Sequence, residues 1–180
     1  MLQPLPHTQD DHARSVHYDQ VRAVIDAILE GEDDWIAAMS TVCCELHHAF
    51  EYFHWTGFYR VIQPEWLGVG PYQGGHGCLR IPFSAGVCGA AARLKQTQLV
   101  DDVHAFPGHI ACSSDTRSEI VVPVVDPQGQ VLAVLDVDSN YGGAFTEVDQ
   151  RHLEALCQEL GRRFGPSESH TRQKDSAPAS

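Results

Sequence analysis

The feature that most constrains the fold is a pair of β-branched segments joined by a short polar turn. EIVVPVV (119–125) and QVLAVLDVDS (130–139) flank the turn DPQG. Val and Ile favour strands, and a turn sequence with Pro and Gly between two such runs predicts a β-hairpin. The chain is therefore expected to contain an antiparallel sheet with this hairpin in it.

The segments around the hairpin predict more strands and several helices. Apolar residues at helical spacing indicate helices over 17–31, 33–50 and 145–164, and GVCGAAARLKQ (86–96) reads as a shorter one. Aromatic and β-branched runs bounded by turn residues predict strands HWTGFYRVI, EWLGVGPYQ, CLRIPF and QLVDDV. This order predicts an α+β fold, a central antiparallel β-sheet flanked by α-helices.

Length and charge limit the organisation and the partners. A chain of 180 residues suffices for one domain, expected over 17–164, with flexible segments at 1–16 and 165–180. The net charge of -12 argues against nucleic acid and anionic membranes as partners. No apolar run approaches the ~20 residues of a membrane span, and the N-terminus lacks secretory features. These observations predict a cytoplasmic protein whose six unevenly spaced cysteines are reduced.

Two acidic residues close the second strand of the hairpin. Alternation along VLAVLDVDS places Leu132, Val134, Asp136 and Asp138 on one face. The other face, predicted to be the core face, carries Val131, Ala133, Leu135 and Val137. The two carboxylates are then ~6.6 to 6.8 Å apart along the strand. Either a cavity receives them, or the strand emerges into water at this end; the spacing leaves both possibilities open.

A cysteine in a polar loop is the second unusual feature. In GHIACSSDTRSEI (108–120), Cys112 lies among small polar residues, whereas a structural cysteine usually has apolar neighbours. Glu119 opens the hairpin seven positions later, so the thiol and three carboxylates could line one pocket. Trp55 and Tyr59 share a face of their predicted strand and could wall that pocket, although strand aromatics are more often core.

Several motifs together resemble one known family. WTGFY, GPYQG, CLRIPFSAGVCG, DVHAFPGHIAC, SEIVVPV and VLDVDS occur in the order and with nearly the spacings of the free methionine-(R)-sulfoxide reductases, a small enzymatic branch of the GAF-domain superfamily. The resemblance runs from about Trp35 to Leu160. It implies a single GAF-like domain and a homodimer. One departure lies beside the reacting sulfur, where Ser113 replaces an Asp.

The resemblance also implies roles for individual residues. Cys112 corresponds to the nucleophile, and Cys78 and Cys88 correspond to resolving cysteines. The substrate-pocket residues carried over by motif are Trp55, Tyr59, Glu119, Asp136 and Asp138.

The implied reaction accounts for this combination of residue types. A thiolate attacks the sulfur of free methionine sulfoxide while an acid protonates the oxygen, so one pocket must hold both. Like-charged neighbours can keep one carboxyl protonated for that purpose. Cys112 sulfenic acid would then condense with Cys78, or with Cys88 as alternate or relay. Thioredoxin is the expected reductant, and the reaction needs no metal or organic cofactor.

Other readings of the cysteines and histidines remain open at this stage. Two i,i+4 pairs on one helix could bind zinc, but a packed helix is the simpler explanation; the pairs are formed by Cys43, Cys44, His47 and His48. Cys157 is expected in the core, and His104 or His109 could tune Cys112 or lie on the surface. A non-catalytic small-molecule sensor, or a redox sensor signalling through Cys112, is the alternative function.

Overall fold

The computed structural model describes residues 2–8, 10–110 and 113–165. Its elements in chain order are α1 (Asp11–Ile28), α2 (Trp35–Ala49), β1 (Trp55–Gln63), β2 (Trp66–Gln73), β3 (Arg80–Pro82), α3 (Gly86–Leu94), β4 (Gln98–Val100), β5 (Ser118–Val125), β6 (Val131–Ser139) and α4 (Glu147–Phe164). The predicted α+β architecture is confirmed, with β3 and β4 shorter than their motifs. None of the described helices has the length and apolar character needed to cross a membrane.

Short polar side chains fix where the long helices begin. The carboxylate of Asp34 accepts hydrogen bonds from the first backbone N–H groups of α2. Thr146 and Asp149 form a reciprocal capping box at the start of α4, as their spacing predicts. Each cap satisfies backbone N–H groups that have no partner inside the helix, and this fixes the residue at which the helix begins.

All six strands form one antiparallel sheet in the order β3-β2-β1-β6-β5-β4. The hairpin of β5 and β6 therefore lies beside β1 near the middle of the sheet. Its turn is closed by Asp126, whose Oδ1 accepts hydrogen bonds from the backbone N–H groups of Gln128 and Gln130. Gly129 supplies the positive φ of 80° that the turn requires.

The strict alternation expected along β6 fails at its first two residues. The register shifts between Val124 and Val125, so that Val124 pairs with Ala133 but Val125 pairs with Val131. Leu132 is the extra residue of this bulge and packs on the helical side, while Val131 packs on the opposite side. The predicted faces of these two residues are wrong because a bulge interrupts the period of two. Beyond the bulge the prediction holds.

The two faces of the sheet are covered by different elements. Helices α1, α2 and α4 bury the larger apolar cluster against side chains such as Phe58, Leu135 and Val137. Helix α3 and its flanking loops cover the other face, where Trp55 and Tyr59 pack near its first turn. The sheet thus separates a dry structural core from a thinner layer in which polar groups are enclosed.

The N-terminal helix starts earlier than the sequence indicates. Helix α1 begins at Asp11, inside the segment 1–16 that was expected to be flexible, and Asp10 caps it. Arg14, in the first turns, is only 5% exposed. From the sequence alone, a charged residue at this position is expected on the surface, because its partner, Asp149, lies 135 residues further along the chain. The expected C-terminal tail, apart from Gly165, lies outside the described residues.

A buried ion pair joins the two ends of the domain. Arg14 Nη1 lies 2.7 Å from Asp149 Oδ2, and Asp149 is fully buried. The same carboxylate accepts hydrogen bonds from the hydroxyls of Tyr18 at 2.8 Å and Tyr52 at 2.6 Å. A buried carboxylate is tolerated only when it is paired and hydrogen-bonded, and here five groups satisfy it, including the backbone N–H and the hydroxyl of Thr146.

Removing this carboxylate is expected to destabilise the fold strongly. Asp149→Ala leaves the Arg14 charge buried without its anion and frees two buried hydroxyls, so the free energy of unfolding should fall by about 3–5 kcal/mol. Urea denaturation followed by circular dichroism measures the loss.

The matched control breaks an exposed ion pair within α1. Arg22 and Asp26 are i,i+4 partners at 2.7 Å in α1 with partly exposed side chains. Asp26→Ala should cost under about 0.5 kcal/mol, because exposed pairs of this spacing contribute little. Equal losses in the two variants would contradict the role given to Asp149.

Candidate active site

The register of the central strands brings the predicted aromatic and acidic residues together. Trp55 on β1 pairs with Asp138 on β6, and Gly57 pairs with Asp136. Residues paired directly across an antiparallel ladder project from the same face. The end of β1 that carries the indole therefore lies beside the two carboxylates of β6, on the face covered by α3.

The hairpin adds the third carboxylate. Glu119 on β5 pairs with Asp138, and Val121 pairs with Asp136. Of the two possibilities that the sequence left open for this strand end, the structure shows a cavity. Asp136 and Glu119 are 5% and 6% exposed, and Asp138 is half-buried. The pocket that they share is lined by Trp55, Tyr59, His76, Gly77, Ile81, Gly86, Val87, Cys88, His109, Ile110, Ser113, Thr116, Glu119, Asp136 and Asp138.

The cavity is narrow in this conformation. The space open to the centre of a water-sized sphere is about 30 Å³, which is room for one or two water molecules. Its mouth opens into a wider depression. Ser113, Ser114 and Asp115, which directly follow Cys112 in the chain, border this depression together with His54 and Asn140. A ligand the size of an amino acid therefore enters only if the walls move apart.

An aromatic stack forms one wall. The Trp55 ring lies between Tyr59 and Tyr72, with centroid distances of 5.7 and 5.4 Å and nearly parallel planes. Its Nε1 donates a hydrogen bond to the Gly75 carbonyl at 3.1 Å. A Cβ on Gly57 would lie 2.4 Å from the indole Cη2, so glycine is required there for the ring to lie across the strand. The pocket therefore has an aromatic wall, formed by Trp55 and Tyr59, beside the carboxylates.

Burial and mutual repulsion hold protons on the acidic groups. Burial, followed by the charges of Asp136 and Asp138, raises the pKa of Glu119 well above its usual value. Burial and the Asp136 charge raise the pKa of Asp138. The pKa of Asp136 rises to about 7, because burial outweighs stabilising hydrogen bonds from Cys88 and Glu119. At neutral pH the trio therefore holds both protonated and ionised carboxyl groups.

Cys88 is the thiol that the structure places among the acids. It lies in the first turn of α3, and its Sγ is 4.0 Å from Glu119 Oε1. Burial, followed by the charges of Asp136 and Glu119, raises its pKa well above that of a free cysteine. Reactive cysteines have lowered pKa values, so the resting Cys88 is a neutral thiol and a poor nucleophile.

The two other predicted redox cysteines are Cys78 and Cys112. Cys78 follows Gly77, a lining residue of the pocket, and it is disulfide-bonded. Cys112 lies outside the described residues, so its role as nucleophile stays a prediction. The next residue along the chain, Ser113, lines the pocket.

His109 and Thr116 were not assigned to the pocket from sequence, yet both line it. His109 Nε2 is 3.9 Å from Glu119 Oε2. Burial, followed by the nearby His104, lowers the pKa of His109, so the ring is neutral at pH 7. His104 itself is exposed. The signal available in advance was only the proximity of His109 to Cys112 in sequence, which does not reveal where the side chain points.

Helix α2 carries the two Cys/His pairs, and its cysteines are in the positions expected of a helix packed against the core. Cys43 is 1% exposed and donates its thiol hydrogen to the Pro71 carbonyl at 3.2 Å. Cys44 is partly exposed, with its Sγ 3.9 Å from His48 Nδ1. Cys157 is buried in the helical core, as its position on the helix predicts.

The comparisons with known proteins agree with this geometry. A single antiparallel sheet with helices on one face and an enclosed polar pocket on the other defines a GAF-type domain, and the GAF domain family matches residues 23–163. The Escherichia coli free methionine-R-sulfoxide reductase is 38% identical over 143 residues, covering 79% of this chain and 86% of that protein. The chain belongs to the free methionine-R-sulfoxide reductase family of GAF-domain oxidoreductases.

Two further relatives extend the similarity. The Saccharomyces cerevisiae free methionine-R-sulfoxide reductase is 36% identical over 150 residues, covering 80% of this chain and 83% of that protein. The solved structure of the Neisseria meningitidis free methionine-R-sulfoxide reductase in complex with its substrate is 39% identical, with a TM-score of 0.80. It covers 91% of this chain and 96% of that one.

The raised pKa of Asp136 predicts a pH dependence of stability. A carboxyl whose folded pKa exceeds its unfolded value binds its proton more tightly when folded. The free energy of unfolding therefore falls as the pH rises from near 4 to about 7. Asp136→Asn should remove part of this fall, by at most about 1.4 kcal/mol per pH unit. Urea denaturation of both proteins at pH 5, 6, 7 and 8 measures the difference.

Asp101→Asn is the control for that comparison, because it makes the same chemical change at an exposed residue. Its free energy of unfolding should follow the wild-type curve in parallel. If the Asp136→Asn curve were also parallel to wild type, the proton-holding role of the pocket would be refuted.

Proposed function

We propose that this chain reduces free L-methionine (R)-S-oxide to L-methionine with thiol electrons. The proposal rests on one observation. Three carboxylates, an aromatic wall and the first turn of α3, which carries the Cys88 thiol, line one small cavity. Membership of the reductase family and the likeness to a substrate complex support it.

The carboxyl groups divide the work of binding and proton donation. Glu119, whose carboxyl is held protonated by burial and its neighbours, donates a hydrogen bond and then a proton to the sulfoxide oxygen. The ionised carboxylate among Asp136 and Asp138 pairs with the substrate ammonium group. Trp55 contacts the S-methyl group and faces the positive charge that develops on sulfur.

The thiol steps balance with two cysteines. Cys112 attacks the substrate sulfur and forms a transient bond between the two sulfur atoms, while Glu119 protonates the oxygen. The oxygen then passes to the Cys112 sulfur as both the S–O and the S–S bonds to methionine break, so that methionine leaves and Cys112 becomes a sulfenic acid. A second thiol attacks that sulfur, the S–OH bond breaks, and water leaves as a disulfide forms. We assign this second thiol to Cys78, and the disulfide bond at Cys78 supports its redox activity. Cys88, buried beside Glu119, is the alternate or relay.

A dithiol reductant must return both sulfurs to thiols, and thioredoxin is the proposed donor because its potential suits intramolecular protein disulfides. A homodimer and a location in the cytoplasm stay predictions, as do the domain bounds 17–164.

The nucleophile assignment is tested by coupled turnover. NADPH consumption through thioredoxin reductase and thioredoxin should start on addition of free methionine (R)-sulfoxide and should be lost in Cys112→Ser. Cys44→Ser, which removes a partly exposed thiol on α2, should retain wild-type turnover. Persistent turnover in Cys112→Ser would refute the assignment.

Mass spectrometry after one equivalent of sulfoxide separates a reductase from a sensor. A reductase releases one methionine and gains a linked pair of cysteine peptides, whereas a binding module releases none. Equal oxidation by hydrogen peroxide and by methionine sulfoxide would instead favour a redox sensor.

The division of roles among the acids is tested by separating kcat from KM. Glu119→Gln keeps the shape but loses the proton, so kcat should fall by about 10²-fold or more. Asp138→Asn should mainly raise KM for methionine sulfoxide. It should leave unchanged the much weaker reduction of an analogue that lacks the amino group. Equal effects on both substrates in Asp138→Asn and also in Asp136→Asn would refute the ammonium contact.

A further inference from the structure

Three potential metal ligands meet at the bottom of the cavity. The Cys88 sulfur and one carboxylate oxygen each of Glu119 and Asp136 all lie within 4.8 Å of one another, and all three residues are buried. Zinc holds sulfur at about 2.3 Å and carboxylate oxygen at about 2.0–2.2 Å, so tetrahedral ligand atoms lie about 3.5 Å apart. Closing these three atoms around an ion therefore needs shifts of only about 1 Å.

An unpartnered oxygen at the same place points to a ligand. Asp136 is 5% exposed, and its Oδ1 is buried without a hydrogen-bond partner among the described residues. A buried acceptor without a partner is rare and costly. Because Asp136 lines the cavity, a cation entering there would give this oxygen a partner.

The charge of the cavity also favours a cation. Glu119, Asp136 and Asp138 line it, and no Lys or Arg is among its described lining residues. Like charges held together out of water repel one another, and a divalent ion replaces that repulsion with attraction. The cavity volume of about 30 Å³ accommodates an ion without the widening that an amino acid requires.

We propose that Cys88, Glu119 and Asp136 form a binding site for a divalent transition-metal ion, with Zn²⁺ the best match. A thiolate with two carboxylates suits zinc, whereas Mg²⁺ and Ca²⁺ prefer oxygen ligands alone. His109, with Nε2 3.9 Å from Glu119 Oε2, provides the fourth ligand by a small ring movement. Binding displaces the thiol proton and any carboxyl protons into solvent.

The ion would act as an inhibitor and not as a cofactor. This part rests on the proposed function, because Glu119 and Asp136 are also the groups assigned there to the substrate. A bound ion would exclude methionine sulfoxide and hold Cys88 as a metal thiolate, out of disulfide chemistry. Zinc inhibition should therefore be competitive with the sulfoxide and reversed by a chelator.

Cobalt binding to the oxidised chain tests the site without any turnover. Co²⁺ replaces Zn²⁺ and gives a thiolate-to-metal charge-transfer band in the near ultraviolet. The full chain, with the disulfide at Cys78 intact and Cys88 reduced, should show this band at one ion per chain, and Zn²⁺ should displace the ion.

Three variants assign the band. Cys88→Ser should abolish it, and Asp136→Asn should weaken cobalt binding at least tenfold. Cys44→Ser should leave both unchanged, and it controls for the other partly exposed thiol–imidazole pair, Cys44 with His48. Absence of the band in the wild type, or its survival in Cys88→Ser, would overturn the site. If Cys88→Ser fails to fold, unchanged cobalt affinity in Asp136→Asn and Glu119→Gln would overturn it.

Activity assays then separate the two proposals. Absence of sulfoxide turnover in metal-free reduced protein defeats the proposed function, while the cobalt result still decides the metal site. Zinc that binds at Cys88 but leaves the KM for methionine sulfoxide unchanged defeats the inhibitory role.

Discussion

The pairing register of three neighbouring strands is the constraint on which the pocket depends. Asp138 pairs with Trp55 on one side and with Glu119 on the other, so one cross-strand row carries an indole and two carboxylates. A slip of β6 by one residue would send Asp138 and Asp136 to the helical core, away from Trp55 and Glu119. The apolar residues of the opposite face, such as Leu135 and Val137, prevent that slip because it would expose them. The helical core therefore holds the polar pocket in register.

Burial changes the acid–base properties of the residues in that row. Helix α3 covers the acids, and burial is the largest influence on the pKa values of Glu119, Asp136 and Asp138. The same three residues at a solvated strand end would be ordinary carboxylates. Cys88, in the first turn of that helix, experiences the same field and remains a neutral thiol. The proposed proton donation, substrate binding and metal binding all depend on this one enclosed, acidic cavity.

Much of the fold follows from local patterns, and so does the shared face of two pocket residues, although the pattern does not decide between a cavity and a solvated strand end. Alternation along VLAVLDVDS predicts that Asp136 and Asp138 share a face, and capping chemistry predicts the start of α4. The sequence-based predictions that fail do so because they depend on contacts between residues far apart in the chain. The bulge at Leu132 depends on pairing with Val125, and the burial of Arg14 depends on Asp149, so neither is visible in a short window. His109 is invisible for the same reason, because a loop side chain is placed by the surfaces it meets.

The contact between Arg14 and Asp149 has a consequence for where the folded unit begins. Helix α1 begins inside the stretch that looks dispensable by composition, and Arg14 in its first turns is buried in the core. A shortened chain that starts at His17 would retain every residue of the pocket. It would nevertheless strand a carboxylate in the interior, at the point where α4 packs behind the sheet. Through Arg14, the segment ahead of the apparent domain boundary thus contributes a buried side chain to the domain's interior.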